Sequence, residues 1–145
     1  MADVGFKTSG SSGAAKSIVR TEASLQADAA ALVAEFPDIW GARPAVVTSI
    51  PADHMYGALW RVRAPALAGC VVDSETVLSA EGLVAAHARY GKFLFVTTPS
   101  FLEKLLVHPD AAALKGAFVG IITSGSLLRK DAAFAASATT AMPAA

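Results

Sequence analysis

Phe93-Leu94-Phe95-Val96-Thr97-Thr98-Pro99-Ser100-Phe101-Leu102 is the stretch on which the fold turns. Its first half is an unbroken aromatic and aliphatic run, the make-up of a strand covered on both faces rather than the alternation of a half-exposed one. After Pro99 the period changes. Leu102, Leu105 and Leu106 fall on one side of a helix, Ser100 and Glu103 have capping-box spacing, and Pro109 stands where such a helix would end. Three further runs share the character of the first: Ala45-Val46-Val47-Thr48-Ser49-Ile50, Cys70-Val71-Val72 and Phe118-Val119-Gly120-Ile121-Ile122. Their centres, near Val47, Val71, Phe95 and Val119, recur at intervals of 24 residues. That interval holds one helix and two turns, the span of a parallel crossover. The expected fold is therefore α/β, a three-layer αβα arrangement with a mostly parallel sheet of about five strands.

The intervals contain the helices this requires. Leu25, Ala29, Leu32, Val33 and Phe36 share one face at helical spacing, with Pro37 expected to close that helix. Ser79 to Tyr90 carries Leu83, Val84, His87 and Tyr90, with Gly91 as the expected C-cap. The segment from His54 to Leu67 is interrupted by Gly57 and Pro65. Residues 1–130 are expected to form one α/β unit and residues 131–145 an Ala-rich tail that begins helical and frays.

The first 21 residues differ. Val4–Thr8 and Ser17–Thr21 read as two short strands, forming a hairpin that precedes the sheet and carries a Gly/Ser-rich loop. A phosphate needs several donors converging on one point, together with positive charge. Gly10 and Gly13 permit the backbone to turn successive N–H groups inward, Thr8, Ser9, Ser11 and Ser12 add hydroxyl donors, and Lys16 supplies a mobile charge. On composition alone a plain hairpin turn is an equal reading. Gly13 is followed by Ala14 and not by lysine, which excludes a Walker loop, and no serine here is flanked as in a nucleophile elbow. A dinucleotide fingerprint is excluded because a strand follows the loop, where that fingerprint requires a helix.

Composition narrows the classes. Lys plus Arg and Asp plus Glu are 12 each, so no net charge draws the chain to nucleic acid or to an acidic membrane. No apolar run is long enough for a membrane span, the N-terminal residues lack signal-peptide character, and the lone Cys70 cannot form an internal disulfide; a cytoplasmic location is the expectation. Charged residues make up 17% of the chain, against about 25% in typical domains. Such a shortage of polar surface predicts a homo-oligomer, or a unit covered on one face by something larger.

Thr8-Ser9-Gly10-Ser11-Ser12-Gly13-Ala14-Ala15-Lys16 resembles the phosphate-binding motif of the adenylate-forming enzymes, the superfamily of AMP-binding acyl-CoA synthetases. Ala15 stands where that motif usually has proline and Ser17 where it has glycine. Three further segments resemble the family in the family's order. They are Ile50-Pro51-Ala52-Asp53-His54-Met55-Tyr56-Gly57, the Pro99-centred strand-to-helix turn, and Ile122-Thr123-Ser124-Gly125-Ser126-Leu127-Leu128. The resemblance runs to about Lys130. It implies an ATP-dependent acid–thiol ligase that adenylates a carboxylic acid and passes the acyl group to CoA or an acyl carrier protein. It implies that Thr8, Ser9, Gly10, Ser11, Ser12, Gly13 and Lys16 hold the ATP phosphates, that His54 and Tyr56 shape the acyl pocket, and that Ser124, Gly125 and Ser126 lie near adenine. ATP and Mg²⁺ are the implied cofactors. The family's aromatic-Gly-x-Thr-Glu motif, its ribose-binding Asp and its small C-terminal domain with a catalytic Lys are not found in these 145 residues. The expectation is a central fragment of the large domain, inactive alone, with weak ATP binding and no complete catalytic set. The competing reading is a non-catalytic α/β module that binds a phosphate-bearing ligand or a protein partner.

Outside these motifs the plain readings suffice. Cys70 should begin a buried strand as an inert thiol, and Trp40 and Trp60 should be packing residues. His87 should lie on a partly buried helix face and His108 at a helix end, and neither shows metal-ligand spacing with Cys70.

Overall fold

The computed structural model describes residues 3–9 and 15–123. The chain opens with strands β1 (Asp3–Ser9) and β2 (Ala15–Thr21), paired antiparallel from Asp3↔Thr21 to Ser9↔Ala15. Thr21 then caps helix α1 (Glu22–Glu35), its side chain accepting from Ser24 N–H. A second, short helix α2 (Pro37–Gly41) follows at once. Pro37 does not simply close the first helix, as expected, but occupies the first turn of the second, where its missing N–H costs nothing.

Four strands form the main sheet: β3 (Ala45–Thr48), β4 (Val72–Thr76), β5 (Phe93–Thr97) and β6 (Phe118–Thr123). They pair in the order β4-β3-β5-β6, parallel throughout. The sheet thus has four strands among the described residues where about five were expected. β5, the opening run of the sequence, lies inside it with all five residues buried.

β4 departs most from expectation. The apolar run Cys70–Val72 is not the strand but its approach. The preceding helix ends on Gly69, left-handed at φ 73°, and Cys70 N–H still bonds to Pro65 C=O at 2.9 Å. Pairing starts only when Val46 N–H reaches Val71 C=O, and the strand itself reads Val-Asp-Ser-Glu-Thr. β4 is an edge strand, so polar residues are tolerated on it and the apolar run misplaces it.

Helices cover both faces. On one side lie α5 (Ala80–Tyr90), α6 (Pro99–Leu106) and a 3₁₀ turn (Pro109–Leu114), burying Leu83, Phe93, Phe95, Leu102, Leu114, Phe118 and Ile121 together. On the other lie α1, α2 and the segment 55–68, burying Ala29, Trp40, Val46, Trp60, Leu94, Val96 and Ile122. The alternation Phe93, Phe95 against Leu94, Val96 assigns successive residues of one strand to opposite cores, which is the three-layer arrangement. Trp40 and Trp60 stack at 5.9 Å between ring centroids, as packing residues should.

Caps correct two further expectations. Thr98, not Ser100, is the N-cap of α6, its Oγ1 accepting from Phe101 N–H at 3.3 Å with Pro99 inside the first turn. Pro109 opens the 3₁₀ turn instead of closing α6, and His108 Nδ1 accepts from Asp110 N–H at 3.1 Å, so this histidine caps a start. Ser79 and Gly91 bound α5 as predicted. The proposed boundary at residues 130/131 lies outside the described residues.

Candidate functional site

The loop-bearing hairpin and the His54 segment come together on the same side of the molecule. Phe6 of β1 is 3% exposed and packs with Leu25 of α1 and Ala58. At the foot of β2, the Arg20 guanidinium donates to Ser24 Oγ and Asp28, and its Nη1 lies 3.8 Å from Met55 Sδ. A second arginine joins α1 to the segment after His54: Arg63 Nε donates to Glu22 Oε2 at 2.8 Å and Nη1 to Ala58 C=O at 3.1 Å. The hairpin is therefore fastened to the helix that begins beside His54.

That helix starts at α3 (Met55–Gly57), widens into a π-helix (Ala58–Arg63) and ends as α4 (Ala64–Ala68). Pro65 explains the widening. It has no N–H to give the carbonyl four residues back, and Ala64 N–H bonds instead to Leu59 C=O, five back. His54 caps the start, Nδ1 accepting from Tyr56 N–H at 3.2 Å. Its ring is exposed and, with Gly5, Pro51 and Asp53, lines an open recess of about 430 Å³ between hairpin and sheet. Tyr56 is half-buried, its ring 6.0 Å from that of Trp60. The two predicted acyl-pocket residues are neighbours, but they differ in exposure: His54 faces the recess and Tyr56 packs toward the core.

Of the predicted phosphate-binding residues, Thr8, Ser9 and Lys16 belong to the paired strands, with Thr8 opposite Lys16 and Ser9 opposite Ala15 at the last rung. Gly10, Ser11, Ser12 and Gly13 lie outside the described residues, as do Ser124, Gly125 and Ser126. β6, which leads to them, ends at Thr123 level with Thr97.

The sequence reading missed the carboxyl-terminal edge of the sheet. There Ser49 and Thr97 share a hydrogen bond of 2.7 Å between their hydroxyls, at the place where β3 and β5 lead away to opposite faces. Two small polar residues ending apolar runs are the signal, but without the strand order nothing paired them. Arg20, Glu22 and Arg63 were missed for the same reason, since their contacts join distant segments. Among the described residues one cluster brings metal-capable side chains together, Glu81, His108 and Asp110. His108 Nδ1 already accepts from Asp110 N–H, so a neutral ring carries its proton on Nε2, toward Glu81, and has no lone pair left to give a metal.

Burial raises the thiol pKa of Cys70, with Arg43 opposing; the residue is half-buried ahead of its strand and has no charged activating neighbour strong enough to reverse that.

No protein-family profile matches the chain. The 4-coumarate–CoA ligase of Cereibacter sphaeroides is 35% identical over 125 residues, which is 83% of this chain and 28% of that protein. ATP-bound MatB from Rhodopseudomonas palustris superposes with a TM-score of 0.79 at 20% identity, over 97% of this chain and 27% of that one. The anthranilate CoA ligase AuaEII, solved with anthranoyl-AMP, superposes with a TM-score of 0.77 at 14% identity, over 97% and 27%. This chain resembles part of an AMP-binding acyl-CoA synthetase. The likeness to the two solved ligases carries the fold, and the identity to the coumarate ligase carries the family resemblance. The chain spans just over a quarter of the length of each of these ligases. Among the described residues, no helix is long and apolar enough to cross a membrane.

Proposed function

We propose that these residues form part of an ATP-dependent acid–thiol ligase, in which they cradle the triphosphate and supply one wall of the acyl site. The observation that carries this reading is the hairpin register. Pairing closes at Ser9↔Ala15 with Lys16 opposite Thr8, on a hairpin whose Phe6 packs with Ala58 and Met55, next to His54. In the reaction a carboxylate oxygen attacks the α-phosphorus of ATP, an acyl–adenylate forms and pyrophosphate leaves. A thiol of CoA or a carrier protein then attacks the acyl carbon and AMP leaves. Backbone and hydroxyl donors of residues 8–13 hold the β- and γ-phosphates as charge moves onto the leaving pyrophosphate, and Lys16 neutralises part of it. His54 and Tyr56 bound the acyl group, and Ser124, Gly125 and Ser126 adjoin adenine. Mg²⁺ belongs to this chemistry as the triphosphate's counter-ion, and no residue is assigned to the ion among the described residues.

The 145 residues, read as one unit to residue 130 and a tail, hold no complete catalytic set. The reading places them in the cytoplasm, where ATP and CoA are supplied. Acid-dependent exchange of pyrophosphate into ATP tests it. The chain alone should give none. Grafted in place of the matching segment of the C. sphaeroides ligase, it should support exchange, and Lys16→Ala should reduce that exchange by about 10-fold or more. A folded graft whose exchange is indifferent to Lys16→Ala would favour the rival reading of a non-catalytic module.

A further inference from the structure

The outer edge of the sheet is also hollowed. Between β4 and α5 lies a groove of about 320 Å³, at the lower end of the range of small-molecule sites, roughly 300–1,000 Å³. Asp73 and Glu75, two apart on the strand, both line it. Asp73 is the unusual member. It is 6% exposed, a burial that carboxylates seldom reach without a paired cation. Its Oδ1 accepts from Glu75 N–H at 2.9 Å, but its Oδ2 has no hydrogen-bond or ion-pair partner among the described residues. A charged oxygen left unanswered at such depth costs stability, and a cation bound there would recover it.

The rest of the lining narrows the kind of cation. Glu75 is exposed at the rim and makes no ion pair among the described residues. Ser79 Oγ accepts from Gly82 N–H at 3.3 Å and keeps a lone pair. Arg89 is the one cation on the rim. It lies over the Tyr90 ring, 5.9 Å from its centroid, and pairs with neither carboxylate. Two carboxylates thus face one guanidinium, and the groove lacks one positive charge. Its open valences at Asp73, Glu75 and Ser79 are acceptors, which suit a group with several N–H donors on one atom. A quaternary ammonium has no N–H to give and is held by aromatic faces, and none of the described residues lining the groove is aromatic. Val77, Ala85 and Ala86 supply an apolar wall without bulk, fit for a narrow aliphatic chain.

We infer that this groove binds a primary ammonium on a short aliphatic chain, the ammonium set among Asp73 Oδ2, Glu75 and Ser79 and the chain along Val77, Ala85 and Ala86. The site lies apart from the recess at His54 and does not depend on the ligase reading. A free alkylamine and a lysine side chain of a peptide present the same group.

The test is an amide chemical-shift titration of the 145-residue chain with n-butylammonium chloride at constant ionic strength. Saturable shifts should appear within residues 73–89. Asp73→Asn keeps the acceptor for Glu75 N–H and removes the charge, and it should weaken binding by about fivefold or more, as should replacing the amine by butan-1-ol or by tetramethylammonium. Arg89→Gln, an exposed change, should tighten binding by about twofold, because it removes the like charge. Nα-acetyl-lysine methylamide distinguishes the sources: tighter binding than n-butylammonium assigns the groove to a lysine side chain, equal or weaker binding to a free amine, and either supports the ammonium site. The inference fails if the amine's shifts do not saturate or centre outside residues 73–89, if Asp73→Asn binds as the parent does, if Arg89→Gln weakens binding, or if the alcohol or tetramethylammonium binds like the amine.

Discussion

Gly57 has no room for a side chain. A Cβ placed there would meet the backbone carbonyl of Pro51 well inside van der Waals contact, and a backbone atom cannot swing away. The turn that brings Pro51 beside the start of α3 is the turn that presents His54. Gly57→Ala should therefore cost about 2 kcal/mol or more of stability and displace the His54 cap, measured as a lowered midpoint in urea and a shifted Tyr56 amide. Cys70 offers a second check at this scale. Its pKa is raised by burial, so at any pH below that pKa it holds less thiolate than a free cysteine does, and the thiolate is the reactive form. Alkylation by iodoacetamide at pH 8 should be slower than for a free cysteine and should accelerate only as pH rises past the ordinary thiol range. A rate equal to that of free cysteine at pH 8 would contradict this account of the residue.

Among the elements, the contact between α1 and the segment after His54 can be tested directly. Arg63 and Glu22 tie the π-helix to the head of α1, with the Arg63 side chain 12% exposed and Glu22 40%. A pair half-shielded in this way should show a coupling of about 1 kcal/mol in a double-mutant cycle of Glu22→Gln and Arg63→Gln, and no coupling should appear in the control cycle of Glu22→Gln with Lys92→Gln. How legible each element was in the sequence follows from its surroundings. β5 was read correctly because it is buried on both faces, so its composition was fixed by the core. β4 was displaced because an edge strand may be polar, and its apolar approach copied the look of a strand. The prolines were located but misassigned at Pro37 and Pro109, since a proline serves the first turn of a helix as well as the end of the one before. Gly57 and Pro65 interrupt the apolar pattern after His54, and Pro65 does shift the hydrogen bonding, yet the chain answers by widening the helix and not by breaking it.

At the scale of the whole molecule, local motifs are visible in a sequence and tertiary contacts are not. The Gly/Ser loop and the His54 segment are short motifs that a sequence shows directly, whereas Arg20 with Met55 and Ser49 with Thr97 meet only after folding. Surface composition carries its own consequence. Leu78 and Val107 are 79% and 85% exposed, and Val71 and Leu67 are 65% and 52%, in a chain already short of charge. Burying a few hundred Å² of such surface gains about 25 cal/mol per Å², so the isolated chain should self-associate at micromolar concentration, and sedimentation velocity should show the weight-average mass rising with concentration. A monomer at every concentration would contradict that. The central claim is that the hairpin loop cradles phosphate. Its most direct test is an amide chemical-shift titration of the chain with inorganic tripolyphosphate. The account predicts saturable shifts at Gly10, Ser11, Ser12 and Gly13 with a dissociation constant of about 1 mM or weaker, lost in Lys16→Ala. Loop amides that stay unmoved at saturating salt-matched tripolyphosphate, or that move identically in Lys16→Ala, would contradict it.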